Sequence, residues 1–247
     1  MHPVVRKLGL FVGFSPAEER ALQLAFSHTL EVPAKCAVVR EDEAPSYMYF
    51  LLEGFCSRQK SLPNGRRQIL SFMLPGDACD IGITLLDRRD HSLIAATTSY
   101  FARISGSALE HISEQYPKVR AALQWASLVE ESIAREWIIN LGQRSSEART
   151  AHLICETYFR MEALGLNQGH SYTLPLAQAD LADALGISSV HVNRTLQDLR
   201  RKGLISFTDR RMTILDPDGL AEVSDFDPTY LHLTSRYTPP QASFPGR

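Results

Sequence analysis

The spacing of apolar positions changes twice along the chain. From about residue 30 to 108, short apolar runs alternate with turn residues. Tyr49-Phe50-Leu51-Leu52 runs into Glu53-Gly54, Phe55 to Leu62 follows, and Pro63-Asn64-Gly65 separates it from Gln68-Ile69-Leu70-Ser71-Phe72. Asn-Gly between two strand-like runs is a hairpin signal, because both residues tolerate positive φ. Strands this short and closely spaced predict a sandwich or barrel. From about 112 to 142 the period becomes helical. Pro117 suits a first turn, where its missing N–H costs nothing, and no Pro or Gly follows until Gly142. Leu123, Ala126, Val129, Ile133 and Trp137 step by three or four along one face. By itself this stripe fits packing on its own domain or on a twin helix. From about 145 to 225 short helices precede two β-like runs, with Ala148, Ala151, Ile154, Cys155 and Tyr158 at helical spacing in the first helix. Pro228, Pro239, Pro240 and Pro245 mark a C-terminal tail without a core of its own.

The stretch Ala177 to Ile205 carries the most specific chemistry. A first helix buries Leu181, Ala182 and Leu185, and Gly186 supplies the left-handed backbone that ends it. Ser188 is a good N-cap for a second helix, which buries Val192, Leu196 and Leu199 before Gly203 stops it. Two helices joined by a tight glycine turn form a helix-turn-helix. Val190, Asn193, Arg194, Gln197 and Arg201 share the outer face, which holds neither Asp nor Glu. Asn, Gln and Arg make paired hydrogen bonds to adenine or guanine edges. Arg200 and Lys202 flank that face and reach toward phosphates. Leu204–Phe207 and Met212–Leu215 bracket Thr208-Asp209-Arg210-Arg211, a hairpin with two arginines near its tip: a wing against a DNA backbone. The same pattern also serves as a merely stable fold. Glycine turn, serine cap, acid-free polar face and basic wing together favour double-stranded DNA as the partner.

Composition narrows the class. Hydrophobic residues make up 44% of the 247 and charged residues 22%, close to a globular average. A net charge of -2 excludes a uniformly basic nucleic-acid coat but not a local patch. No run of about 18 apolar residues predicts a membrane span, and the start at Met1-His2-Pro3 has no signal-peptide character. The cysteines, Cys36, Cys56, Cys79 and Cys155, are scattered, which argues against a disulfide framework or zinc ribbon and predicts a reducing cytoplasm.

The helix-turn-helix, the long helix before it and the glycine-punctuated β region ahead together resemble bacterial CRP/FNR-type transcription regulators, over roughly residues 15 to 225. The resemblance implies an α+β chain: a β-roll sensor domain (jelly-roll-like, cyclic-nucleotide-binding-like) with an N-terminal helix over 1–111, a dimerisation helix over 112–142, a winged helix-turn-helix over 143–226, and a tail over 227–247. It resolves the stripe in favour of the twin helix, so Leu123, Ala126, Val129, Ile133 and Trp137 become the expected homodimer interface. It places base reading on Ser189, Val190, Asn193 and Arg194, with Arg194 on a guanine. The wider expected DNA set adds Gln178, Ser188, Gln197, Arg201, Arg210 and Arg211. A palindromic site, RNA polymerase as protein partner and no membrane complete the implied picture. Two departures stand out. Val190 occupies a position where the family often has glutamate, so recognition of a cytosine amino group is lost. Ala177 gives the first helix no hydroxyl cap, at a cost on the order of 1 kcal/mol.

The sensor half says less. Cyclic-nucleotide binders of the family hold ribose and phosphate with a Gly-Glu pair and a later Arg-Ser/Thr-Ala. Here the places read Ala78-Cys79-Asp80-Ile81 and Arg88-Arg89-Asp90-His91. Arg89, Asp80, Ile81 and Gly82 are the expected effector-pocket residues. Asp90 puts a carboxylate where a hydroxyl should donate to phosphate; at about 4 Å such a repulsion costs several kcal/mol. Cyclic AMP is therefore disfavoured. Haem on His91 or Cys79, or oxidation of Cys79 or Cys155, remain minor alternatives, and no cofactor follows from the residues. The eight histidines lack metal-dependent cupin spacing, and neither a Gly-x-Ser-x-Gly elbow nor a phosphate loop occurs, so no enzyme is expected. The rival function is a small-molecule or redox sensor whose winged helix binds a protein.

Overall fold

Residues 2–233 are described by a computed structural model of the chain; the expected tail from 234 onward lies outside them. Two short helices, α1 (Pro3–Leu8) and α2 (Pro16–Ala25), lead into eight strands: β1 (Thr29–Val32), β2 (Ala37–Val39), β3 (Met48–Glu53), β4 (Cys56–Ser61), β5 (Arg67–Met73), β6 (Ala78–Cys79), β7 (Ser92–Ala95) and β8 (Ser99–Ile104), with a 3-10 turn at Ile83–Leu85. These form two four-stranded antiparallel sheets, ordered β1-β8-β3-β6 and β2-β7-β4-β5. Val32, Leu51, Cys56, Met73, Leu93 and Phe101 fill the space between them. The β4–β5 hairpin is present, with Ser61 opposite Arg67. Its loop is wider than a two-residue turn, and of the Asn64-Gly65 pair only Gly65 takes a positive φ.

The helical region splits in two. Helix α3 (Gly106–Gln115) ends at extended Tyr116, and α4 (Pro117–Gly142) begins with Pro117 in its first turn. Helix α5 (Ser146–Ala163), β9 (Ser171–Thr173), α6 (Gln178–Leu185), α7 (Ser189–Arg201), β10 (Ile205–Thr208), β11 (Arg211–Ile214) and α8 (Pro217–Ser224) complete the chain, with a last 3-10 turn at Pro228–Leu231. Strands β10, β11 and β9 form a third sheet.

Helix α4 is the spine of the molecule. Val119, Ala122 and Leu123 in its first half pack with Val4, Leu8, Phe26 and Phe50 around α1 and β3. Trp125, Val129, Ile133 and Trp137 further along share one cluster with β-roll residues Phe55, Ile69 and Phe72 and with Ile154, Leu181 and Leu196 of the helix-turn-helix half. This corrects the expected dimer interface. Leu123, Val129, Ile133 and Trp137 are buried in their own chain, Ala126 is half-buried there, and the Trp137 indole donates to Glu156 at 3.1 Å. A three-four periodicity identifies an apolar stripe but not what covers it. The exposed large apolar positions of α4 are Leu128, Ile138, Ile139 and Leu141.

The tail expectation is corrected at its start. Leu231 is buried, and Tyr230 donates to Glu156 at 2.9 Å. Beneath it lies a buried ionic hub. Arg160 of α5 pairs with Asp77 at 2.6 Å and with Glu156 at 3.1 Å, and it donates to the Phe72 carbonyl. Asp77 also pairs with Lys7 and accepts from the Leu74 amide. The hub joins α1, the β-roll, α4, α5 and the final turn. Burial would raise the Asp77 pKa, but Lys7 and Arg160 hold it down at about 2.

Candidate nucleic-acid interface and β-roll pocket

Local signals build the reading surface. Gly186 sits at φ 64 and closes α6, and the Ser188 hydroxyl accepts the His191 amide at 3.2 Å, capping α7. Ala177 cannot cap α6 with a side chain, but the Asp180 carboxylate reaches back to its amide at 3.2 Å, recovering half of a capping box. Val192, Leu196 and Leu199 face the core. The opposite side is an open depression of about 410 Å³ lined by Gln178, Ser189, Val190, Asn193, Arg194 and Gln197. Val190 is 77% exposed at its rim. The Asn193 amide points to Gln178 at 3.5 Å. Six of the expected DNA residues thus meet in one place, and none is acidic.

The remaining four lie elsewhere. Ser188 spends its hydroxyl on the cap. Arg201 lies outside the depression and pairs with Asp198 one turn back. It is seven residues beyond Arg194, about 10 Å along the axis, so sharing a helical face does not place it at the reading end. Arg210, at positive φ beside Asp209, forms the exposed hairpin tip, while Arg211 donates to Gln168 at 2.9 Å.

In the β-roll, Asp80, Ile81 and Gly82 line a pocket of about 790 Å³ together with Arg58, His91 and Glu130. Arg89 does not line it. Its guanidinium is 2% exposed, donating to the Tyr47 carbonyl at 2.8 Å and lying 3.4 Å from Asp80. The arginine in the pocket is Arg58, which pairs with Asp80 at 3.0 Å and Glu130 at 2.6 Å. Sequence reading missed Arg58, since a lone arginine in strand β4 carries no local signal. His91 lies between two carboxylates, Nε2 at 3.1 Å from Asp80 and Nδ1 at 2.7 Å from Asp90. Nδ1 is hydrogen-bonded to Asp90, while Nε2 lies at ion-pair distance from Asp80 without a hydrogen bond. Oxidation of Cys79 or Cys155 finds no support in their surroundings. Both thiols are buried, and burial raises the Cys155 pKa to about 12 and that of Cys79 well above the ordinary thiol value, so neither is a reactive thiolate.

Burial alone would lower the His91 pKa. Asp80 and then Asp90 outweigh it, and the pKa is raised. A raised folded value means a stability contribution complete below the ordinary 6.5 and lost as pH rises through the folded value. His152, fully buried and pushed down to about 3 by burial and then Arg144, acts with the opposite sign. Denaturant melts of wild type and His91→Asn isolate the first effect. Their difference should be largest below pH 6.5 and shrink on the alkaline side; a pH-independent difference would refute the ion-paired His91.

Residues 29–116 match the description of a cyclic nucleotide-binding domain, and 148–223 that of a Crp-like helix-turn-helix domain. The transcriptional activatory protein AadR of Rhodopseudomonas palustris is 32% identical over 220 residues, 87% of this chain and 89% of that one. The nitrogen fixation regulation protein FixK of Bradyrhizobium diazoefficiens is 32% identical over 182 residues, 73% and 75% of the two chains. Among solved structures, FixK2 from Bradyrhizobium japonicum matches with a TM-score of 0.73 at 23% identity, over 81% of this chain and 98% of that one. The chain belongs to the CRP/FNR family of transcription regulators, a class of DNA-binding proteins and not enzymes. No helix among the described residues is long and apolar enough to cross a membrane.

Proposed function

We propose that the protein is a cytoplasmic homodimer that binds a palindromic DNA site and acts with RNA polymerase at promoters, under control of a signal sensed in the β-roll. The observation carrying this reading is the exposed, acid-free depression formed by Gln178, Ser189, Val190, Asn193, Arg194 and Gln197. Each subunit sets the start of α7 in a major groove, two half-sites lie about one helical turn apart, and Arg210 approaches the backbone. Selection from random duplexes at low and high salt tests this. Recovery of a two-fold site with affinity falling steeply in salt is the expected result. Absence of any selected sequence would favour the rival reading, a winged helix that binds a protein.

The signal is not cyclic AMP on this reading. Asp80 and Asp90 hold the cations of the pocket, and a phosphate would have to displace them. The homodimer seam is the exposed side of α4, where Leu128 and Ile138 are 59% and 71% exposed. Leu128→Glu combined with Ile138→Glu should convert a dimer to the 27.6 kDa monomer without unfolding it, as read by sedimentation. A dimer that survives both changes moves the seam elsewhere.

A further inference from the structure

One strong tie between the β-roll and the helix-turn-helix lies at the surface. Arg67, the first residue of β5, reaches α6 with both ends of its guanidinium: Nε donates to Asp183 at 2.7 Å and Nη2 to Asp180 at 2.8 Å, while Nη1 is braced by Gln59 at 3.2 Å. Next to it, the Gln68 amide donates to the Ala184 carbonyl at 3.3 Å. The three ionic side chains are about one-third exposed, 31%, 27% and 32%. The grip is therefore neither a loose surface pair nor part of the buried core.

Its position gives it leverage. Asp180 and Asp183 sit one turn apart on α6, whose first residue, Gln178, forms the rim of the reading depression beside Asn193. Leu181 and Leu185 of α6 share a core with Val192 and Leu196 of α7, so α6 and α7 are packed as one unit. Whatever orients α6 on the β-roll orients the reading surface relative to the dimer axis. The same guanidinium also balances two carboxylates on the helix next to the depression, where they would otherwise repel phosphate. A lysine supplies a point charge but not the planar fork that spans two carboxylates.

We propose that Arg67 is a positioning residue for DNA recognition: by tying Asp180 and Asp183 to the β4–β5 hairpin it sets the separation of the two α7 helices in the dimer, and hence the half-site spacing that the protein accepts. This rests on the DNA-binding reading above. The test uses the full-length chain as wild type, Arg67→Ala, Arg67→Lys and the exchanged pair Arg67→Asp with Asp183→Arg. Each is measured against the wild-type selected site and against versions with one base pair added or removed between half-sites, and thermal midpoints show that each is folded. Arg67→Ala should bind the selected site about tenfold more weakly and lose most of its preference among spacings. Arg67→Lys should keep the charge yet share the relaxed spacing, and the exchanged pair should recover part of the preference. Wild-type spacing preference in both Arg67→Ala and Arg67→Lys would overturn the inference while leaving the DNA reading intact. A wild-type protein that selects no site would overturn the DNA reading, and this inference with it. If Arg67→Ala fails to fold, the Arg67→Lys spacing profile decides alone.

Discussion

Arg160→Leu should destabilise the fold by about 3–5 kcal/mol, the scale for removing one partner from a buried ion pair. Asp77 would keep Lys7 and the Leu74 amide, so the damage centres on Glu156. That carboxylate is buried, and burial raises its pKa against the opposing charge of Arg160 and the hydrogen bonds from Tyr230 and Trp137. Without Arg160 it takes up a proton more readily. The deficit should therefore shrink as pH falls and Glu156 is neutralised. For a chain of this size each kcal/mol moves the midpoint by roughly 2–4 °C, so a fall on the order of 10 °C is expected by calorimetry at neutral pH. A loss below about 1 kcal/mol would mean that the hub does not hold the two halves together. Glu156→Gln in the Arg160→Leu background should recover part of the loss, because a neutral amide needs no countercharge.

Arg194→Ala should cost about 1–3 kcal/mol in binding a selected site and relax base choice at one step per half-site. Arg194 is exposed, borders the depression and makes no ion pair among the described residues, so its removal should barely move thermal stability. Arg210→Ala at the hairpin tip is the contrast. If it touches phosphate it should weaken all sequences alike and lower the salt slope by about one. Competition binding against a set of single-base variants separates the two behaviours. An Arg194→Ala protein with unchanged site preference and affinity would show that base reading lies elsewhere on the surface.

The helix-turn-helix was legible because its signals are local. Gly186, Ser188 and Gly203 act on backbone within a few residues, and Val192, Leu196 and Leu199 declare the buried face of α7 by period alone. The same rule put Arg201 on the reading face without saying how far it lies from the reading end, since angular position on a helix says nothing about distance along it. The β-roll strands were legible from alternating runs and turns. In the effector pocket, Arg89 was chosen by its place in a motif, yet it lies buried against Tyr47 and Asp80 while Arg58 faces the cavity.

The sequence by itself determined the succession of β region, long helix and helix-turn-helix, the glycine turn between α6 and α7, and the acid-free reading face, because each depends on residues only a few positions apart. Tertiary structure alone decided which side of α4 is buried and which cation joins which carboxylate. The partners of Arg160 and Arg67 lie 83 and 116 residues away, and no local pattern encodes a contact made by the folding of one half of the chain onto the other.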